Sequence, residues 1–477
     1  MKRILARLIA VPICATLGAC MMGPDYVRPQ VAVPQAFKEA TPDWQPAQPA
    51  DGAPRGPWWQ VFHVEELDRL EEQAAKANQN IAVAEANYRR AVGVTDQAVA
   101  ALFPTLSVSA GISRSANPVA GLSTIPLVTY HQLTASASWV PDLWGAVRRN
   151  IEEQKADEES SKDLLGNALL SLQSTLATDY FALRVDDEQQ RLLEEAVKAY
   201  QRSLELTESR YRGGVAARTD VVQAQALLEA TKAQAIDVGI QRAQTEHAIA
   251  VLLGKAPSEF SIARQPFDLT APTVPAQVPS VLLQRRPDVA SAERLAAAAN
   301  AQIGVAQAAF FPTLTLPASG GFRAASGTPL LQMDNRFWTL GPTLAELLFD
   351  AGARSAAKQQ AIAGYDAAVA TYRQTVLTAL QNVEDQLVAL RLLEQETAVE
   401  DAAVEAAEET LRLTINQYKA GTVSYLNVIT AQTTALTDHI TALTIRGRQL
   451  AAAAQLIAAL GGDWRPDAAL APSAQAR

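Results

Sequence analysis

The phrase Phe-Pro-Thr-Leu occurs twice in this chain, at Phe103-Pro104-Thr105-Leu106 and at Phe311-Pro312-Thr313-Leu314, 208 positions apart. Each copy ends a long alanine-rich stretch and opens a run that alternates small polar with apolar residues. A hydrophobic period that changes from helical to two marks a helix handing over to a strand. The chain therefore has to fold around two equivalent helix-to-strand joints, at Phe103-Pro104 and Phe311-Pro312.

The rest of the sequence repeats around those joints. Thr105 to Ser113 and Leu133 to Trp139 alternate in the first copy, Thr313 to Ser319 and Trp338 to Leu344 in the second. Helical runs of 67 residues follow, Ala146 to Arg212 and Ala353 to Lys419, each about 100 Å long at ~1.5 Å rise per residue. Leu165, Leu169, Leu172, Leu176, Tyr180 and Leu183 form a seam spaced by three and four. Val376, Val383, Leu387 and Leu390 repeat it 207 positions later.

Both rods stop at glycine, as helix C-termini do. One tip reads Tyr211-Arg212-Gly213-Gly214 and the other Tyr418-Lys419-Ala420-Gly421. Asp220, with Gln223 three residues on, is expected to cap the returning helix, and Asn427 holds the matching position. The helical stretch before the first joint, Val64 to Leu102, is expected to be interrupted only at Gly93.

These signals divide the chain. Residues 1–19 are an export signal and 20–57 a proline-rich strap or tether. Residues 58–254 form the first repeat, with a β-hairpin near 104–140 and a tip near 211–220. A proline-rich connector spans 255–287, the second repeat 288–462 with a hairpin near 312–346 and a tip near 418–427, and a polar tail 463–477. The expected class is α+β, long helical hairpins with four strands per chain.

Lys2, Arg3 and Arg7, an apolar core, and Leu17-Gly18-Ala19-Cys20 form the export signal. Leu-x-small-Cys resembles a bacterial lipobox, in which the cysteine is acylated; Cys20 is thus the expected lipid anchor. Cleavage there would remove Cys14, exclude a disulfide framework and take the net charge from −9 to −12. An acidic exported chain is a poor nucleic-acid binder. After the signal no run of eighteen apolar residues occurs, so a membrane crossing has to use strands.

Lone hairpins are marginal in water, and these have Ser/Thr rather than charge on their polar face, with Trp139 at the end of the apolar one. That pattern matches transmembrane barrel strands. Thr105, Ser107, Ser109, Thr134, Ser136, Ser138, Thr313, Thr315, Thr339 and Thr343 are the expected wet side. Four strands cannot close a barrel, and an open edge in lipid leaves backbone groups unsatisfied, so other copies of the chain must complete it. About 8 strands would fill with side chains, whereas about 12 leave a lumen, which favours three copies.

Catalytic constellations are missing from the sequence. His63, His131, His247 and His439 are scattered, with no His-x-x-x-His, Cys-x-x-Cys, phosphate-loop or Gly-x-Ser-x-Gly spacing, and the expectation is a non-enzyme without a cofactor beyond the lipid on Cys20.

The order of motifs carries a resemblance over essentially the whole chain. The lipobox, Gly23-Pro24-Asp25-Tyr26, the two Phe-Pro-Thr-Leu joints, Pro141-Asp142-Leu143-Trp144-Gly145, Arg285-Arg286-Pro287-Asp288-Val289, Tyr418-Lys419-Ala420-Gly421 and Ala459-Leu460-Gly461-Gly462-Asp463-Trp464 are similar to those of the outer membrane factor family, in its TolC/OprM/NodT lipoprotein branch. The resemblance implies a homotrimer with a 12-stranded β-barrel in the outer membrane and a periplasmic α-helical barrel. It also implies tip docking with a periplasmic adaptor and an inner-membrane efflux transporter, usually of the RND type. The function so implied is a passive exit duct for small molecules; a type I protein-secretion channel and a non-inserted periplasmic coiled-coil adaptor are the alternatives.

The aperture and docking residues carried over are Tyr211, Gly213, Gly214, Asp220, Tyr418, Gly421, Tyr425, Asn427 and Thr430. Relatives often place aspartates where this chain has Asn427 and Thr430. The expectation is therefore a neutral, hydrogen-bonded closure involving Tyr418 and Tyr425.

Overall fold

The structure, a computed structural model, describes residues 21–34, 36–39, 57–116, 127–272 and 286–462. The export signal, Cys20, residues 40–56 of the strap, part of the connector and the polar tail lie outside the described residues. In chain order the elements are α1 (Glu65–Ala77), α2 (Gln79–Ala100), β1 (Thr105–Ala116), β2 (Leu127–Trp139), α3 (Ala146–Arg212), α4 (Arg218–Leu252), α5 (Pro287–Ala308), β3 (Thr313–Ala325), β4 (Arg336–Leu340), β5 (Thr343–Ala345), α6 (Ala353–Ala420) and α7 (Tyr425–Ala459). The chain forms two compact units.

The first unit comprises Met1–Gln30, Asn87–Ser161 and Ser291–Arg373 and holds the sheet. Both joints form in one way. The last helical N–H groups switch to the tighter i→i−3 pattern, Phe103 N to Ala100 O and Phe311 N to Ala308 O, each 3.1 Å. Proline, which cannot continue the ladder, then releases the chain into β1 or β3. The strands pair antiparallel in the order β1-β2-β3-β4, with β5 also on β3. The expected single return strand over Trp338 to Leu344 is two, β4 and β5, because Gly341-Pro342 intervenes and proline has no N–H for the ladder.

The strap is laid down on this unit over its first described residues. Arg149 at the start of α3 is almost fully buried and binds the carbonyls of Met22 and Gly23, Asp25 and Glu152. Tyr26 donates to Glu293 at 2.6 Å, and Asn300 donates to Pro24 O at 2.9 Å.

The second unit comprises Val31–Ala86, Lys162–Ala290 and Gln374–Arg477. Leu172, Leu176, Tyr180 and Leu183 of α3 meet Val383 and Leu387 of α6 in its core, so the duplicated seams pack together. Trp58, Trp59 and Phe62, with Leu67, Leu70 and Ala74 of α1, complete that core.

The expected helix over Val64 to Leu102 is interrupted elsewhere than at Gly93. It breaks at Asn78, which is extended and whose Oδ1 accepts from Asn80 N and Ile81 N, capping α2. Gly93 lies inside α2, and among the described residues nothing lies within 4 Å of where its Cβ would be.

Candidate functional site: the sheet face and the hairpin tips

Register fixes what each side of the sheet presents, since directly opposed residues share a face. Thr105, Ser107 and Ser109 of β1 oppose Ser138, Ser136 and Thr134 of β2. Ser136 opposes Ser319 of β3, which opposes Thr339 of β4, and Thr315 opposes Thr343 of β5. All ten residues expected on the wet side therefore share one face. Tyr130, Gln132, Arg323 and Phe337 join them toward the far end of the strands, which alternation alone left unassigned.

The opposite face carries Leu106, Val108, Ile112, Leu133, Phe322, Trp338, Leu340 and Leu344. Leu106 is 81% exposed, Val108 75%, Ile112 71% and Trp338 78%, an unusual display of large apolar side chains. Among the described residues β1 pairs only with β2, and β4 and β5 only with β3, so both outer edges of the sheet are open. Each joint is bound by an indole N–H: that of Trp139, at the end of β2, donates to Leu102 O at 3.0 Å, and that of Trp144, between β2 and α3, to Pro312 O at 2.7 Å.

The hairpin tips are built from two identical helix stops. At the first, Val215 N binds Arg210 O and Gly214 N binds Tyr211 O; at the second, Thr422 N binds Gln417 O and Gly421 N binds Tyr418 O. These are Schellman motifs, which need a left-handed residue, and Gly214 and Gly421 both have φ of 79°. The next helices start at Arg218 and Tyr425 behind Ala217 and Ser424, neither of which makes a side-chain cap bond. Asp220 and Asn427 therefore sit third in their helices, their N–H groups bonded to Ala217 O and Ser424 O, and the expected Asp220 cap is not made. Asp220 instead sets its charge in the positive first turn of α4.

Burial then separates the expected aperture residues. Tyr211, Gly213, Gly214, Gly421, Asn427 and Thr430 are exposed, and Asp220 is half-buried. Tyr418 and Tyr425 are buried, with ring centroids 5.3 Å apart. Tyr425 donates to Ser203 Oγ at 3.3 Å, Tyr418 lies 3.4 Å from Thr207 Oγ1, and Tyr200 donates to Gln432 O at 3.1 Å. Arg210 lies over the Tyr418 ring at 4.7 Å and donates to Lys419 O at 3.1 Å. Tyr418 and Tyr425 are thus part of a buried, hydrogen-bonded cluster that joins the two tips of one chain.

The α3 contribution has a signal in the sequence. Tyr200, Ser203, Thr207 and Arg210 recur at intervals of three, four and three, one helical face, and Tyr425, Val428 and Gln432 do the same on α7. Burial raises the Tyr425 phenol above its ordinary value and pushes Tyr200 up to about 12, so both stay neutral donors at physiological pH. Among the described residues no group of three metal-binding side chains occurs, and no helix is long and apolar enough to cross a membrane.

Residues 70–255 and 278–462, the two repeats, each match the outer membrane efflux protein family. The chain is 31% identical over 459 residues to the probable efflux pump outer membrane protein TtgC of Pseudomonas putida, covering 94% of this chain and 93% of that one. It is 30% identical over 469 residues to the pyoverdine export outer membrane protein OpmQ of Pseudomonas aeruginosa, covering 95% and 96%. Among solved structures, the outer-membrane channel OprN superposes with a TM-score of 0.87 at 28% identity, covering 93% of this chain and 99% of that one. The open state of the Neisseria gonorrhoeae MtrE outer membrane channel superposes with a TM-score of 0.81 at 26% identity, covering 94% and 99%. With both repeats matched and relatives aligned over more than nine tenths of either chain, the chain belongs to the outer membrane efflux protein family.

Proposed function

We propose that three copies of this chain close their sheets into a 12-stranded barrel and act as the passive exit duct of a tripartite efflux pump. The chain is an outer membrane component of an efflux pump; the trimer, the passive mechanism and the partners are the proposal. The observation that carries it is the sheet: a Ser/Thr face opposite an exposed apolar face, with both edges open. In hydrocarbon each unpaired edge group would cost several kcal/mol, so the edges pair with those of neighbouring copies. Three copies of four strand positions make about 12 strands, with the wet face inward around a lumen.

The exposed Schellman tips with Tyr211, Asn427 and Thr430 are the surface offered to a periplasmic adaptor, which couples the duct to an inner-membrane transporter of the RND type. The duct contributes no energy of its own. Acylated Cys20 adds a second hold on the outer membrane, next to the strap that Arg149 fixes. Relatives named for toluene, antibiotic and pyoverdine export support small organic solutes as the cargo class.

Reconstitution into a planar lipid bilayer tests the proposal. The purified lipoprotein is expected to insert and give discrete conductance steps, and deletion of its gene to raise susceptibility to organic toxicants. Protein that is extracted from membranes by alkaline carbonate and gives no conductance would sink it.

A further inference from the structure

We infer that Arg323 sets the ion preference of the β-lined part of the duct, favouring anionic solutes. The inference rests on the trimeric-duct reading. Residues 105–139 and 313–345, which contain all five strands, hold Arg114, Arg323 and Arg336 against Asp334 alone, a net of +2 in a chain whose total is −9. Within the strands there is no carboxylate.

Register assigns these cations to different faces. Arg114 shares the apolar face with Ile112, and Arg336 opposes Phe322 on that face. Arg323 opposes Gln132, which opposes Gly111, on the Ser/Thr face. Among the described residues it is the one charged side chain on that face. It is exposed, and no carboxylate pairs with it in the ion pairs of the described residues.

Its position is held. The guanidinium lies over the Tyr130 ring at 4.1 Å, a diagonal neighbour on the same face. Gln132, directly opposite it, donates to Thr134 Oγ1 at 2.7 Å. Stacking of this kind fixes a guanidinium flat against an aromatic face without neutralising it. Arg323 lies eleven positions beyond Pro312 in β3, roughly 36 Å along the strand at ~3.3 Å per residue.

Closing three copies puts three Arg323 side chains at one level of a bore otherwise lined by neutral groups. With a screening length of about 8 Å in physiological salt, such a ring acts on ions within the lumen and is little offset by acids on distant helices. Rings of like charge are the standard device of ion selectivity in pores.

Reversal potentials measured across a bilayer separating unequal KCl concentrations test this on wild type, Arg323→Gln, Arg323→Glu and Arg323→Lys. The chloride-over-potassium permeability ratio is expected to fall roughly two- to fivefold in the Gln variant, further in the Glu variant, and to hold in the Lys variant. Tyr130→Leu, which frees the guanidinium, is expected to broaden the distribution of single-channel currents while keeping the preference. Channels of normal conductance with an unchanged ratio in both the Gln and Glu variants would overturn the role of Arg323 and leave the duct intact. Absence of channels from the wild type as well would overturn the duct reading itself.

Discussion

Trp144 donates its indole N–H to the Pro312 carbonyl at 2.7 Å while its ring stacks on Phe311 at 4.8 Å, so a residue at the start of the first long rod clamps the joint of the second repeat. The bond and the stack are separable. Trp144→Phe keeps an aromatic face and loses the bond, which is expected to cost about 1 kcal/mol. Trp144→Leu loses both and is expected to cost about 2–3 kcal/mol. Thermal unfolding in detergent, followed by the helical circular-dichroism signal, is expected to rank wild type above the Phe and then the Leu variant.

Arg210 performs the corresponding service at the tips. Arg210→Met removes the contact with the Tyr418 ring and the bond to Lys419 O, and Tyr425→Phe removes the bond to Ser203. Each is expected to leave the sheet untouched and to cost about 1 kcal/mol locally. Hydrogen exchange of peptides covering 205–220 and 411–430 is expected to quicken several-fold in both variants, with exchange in 105–139 unchanged.

Glu71 makes stability depend on pH. It is fully buried on α1, neither carboxylate oxygen has a partner among the described residues, and burial, with a smaller contribution from Asp68, pushes it up to about 9 from 4.5. The folded chain therefore keeps a proton there that the unfolded chain releases above about pH 4.5. Its contribution is fully present below that value and is lost as pH rises toward 9, by ~1.4 kcal/mol per unit. Glu71→Gln mimics the protonated group. Its unfolding temperature is expected to match wild type near pH 4 and to exceed it by a growing margin at pH 7 and 8.5.

Two helical glycines are expected to respond to alanine with opposite sign. At Gly304 in α5 an added Cβ would lie 2.7 Å from Met22 O and from Arg149 Cγ, so Gly304→Ala must displace the strap or the arginine that holds it. At Gly93 nothing among the described residues lies within 4 Å of an added Cβ, and Gly93→Ala is expected to stabilise by about 0.5–1 kcal/mol through helix propensity alone. Limited proteolysis is expected to cut the strap faster in Gly304→Ala and at the wild-type rate in Gly93→Ala.

Local chemistry explains which parts of this architecture were legible. The rods from Ala146 and Ala353, the joints at Pro104 and Pro312 and the glycine stops at Gly214 and Gly421 each depend on residues within a few positions. The break at Asn78 was equally local, but Ala-Asn-Gln-Asn carries no glycine or proline to draw attention to a capping side chain. Asp220 is of a residue type that favours the cap, whereas the helix begins two residues before it and puts it in the first turn. The burial of Tyr418 and Tyr425 is not legible locally, because their partners, Thr207 and Ser203, lie 211 and 222 positions away, and only packing of one repeat on the other buries them. The burial of Arg149 has the same cause: beyond its helical neighbour Glu152, its partners lie in the strap 124 or more positions earlier.

Native mass spectrometry of the full lipoprotein released from detergent micelles tests the central claim, closure of an open-edged sheet by identical copies. Three chains per particle are expected, with Leu106→Arg and Val108→Arg on the apolar face still trimeric in detergent but failing to enter bilayers. A particle of one or two chains, or a monomer that conducts unaided, would contradict it.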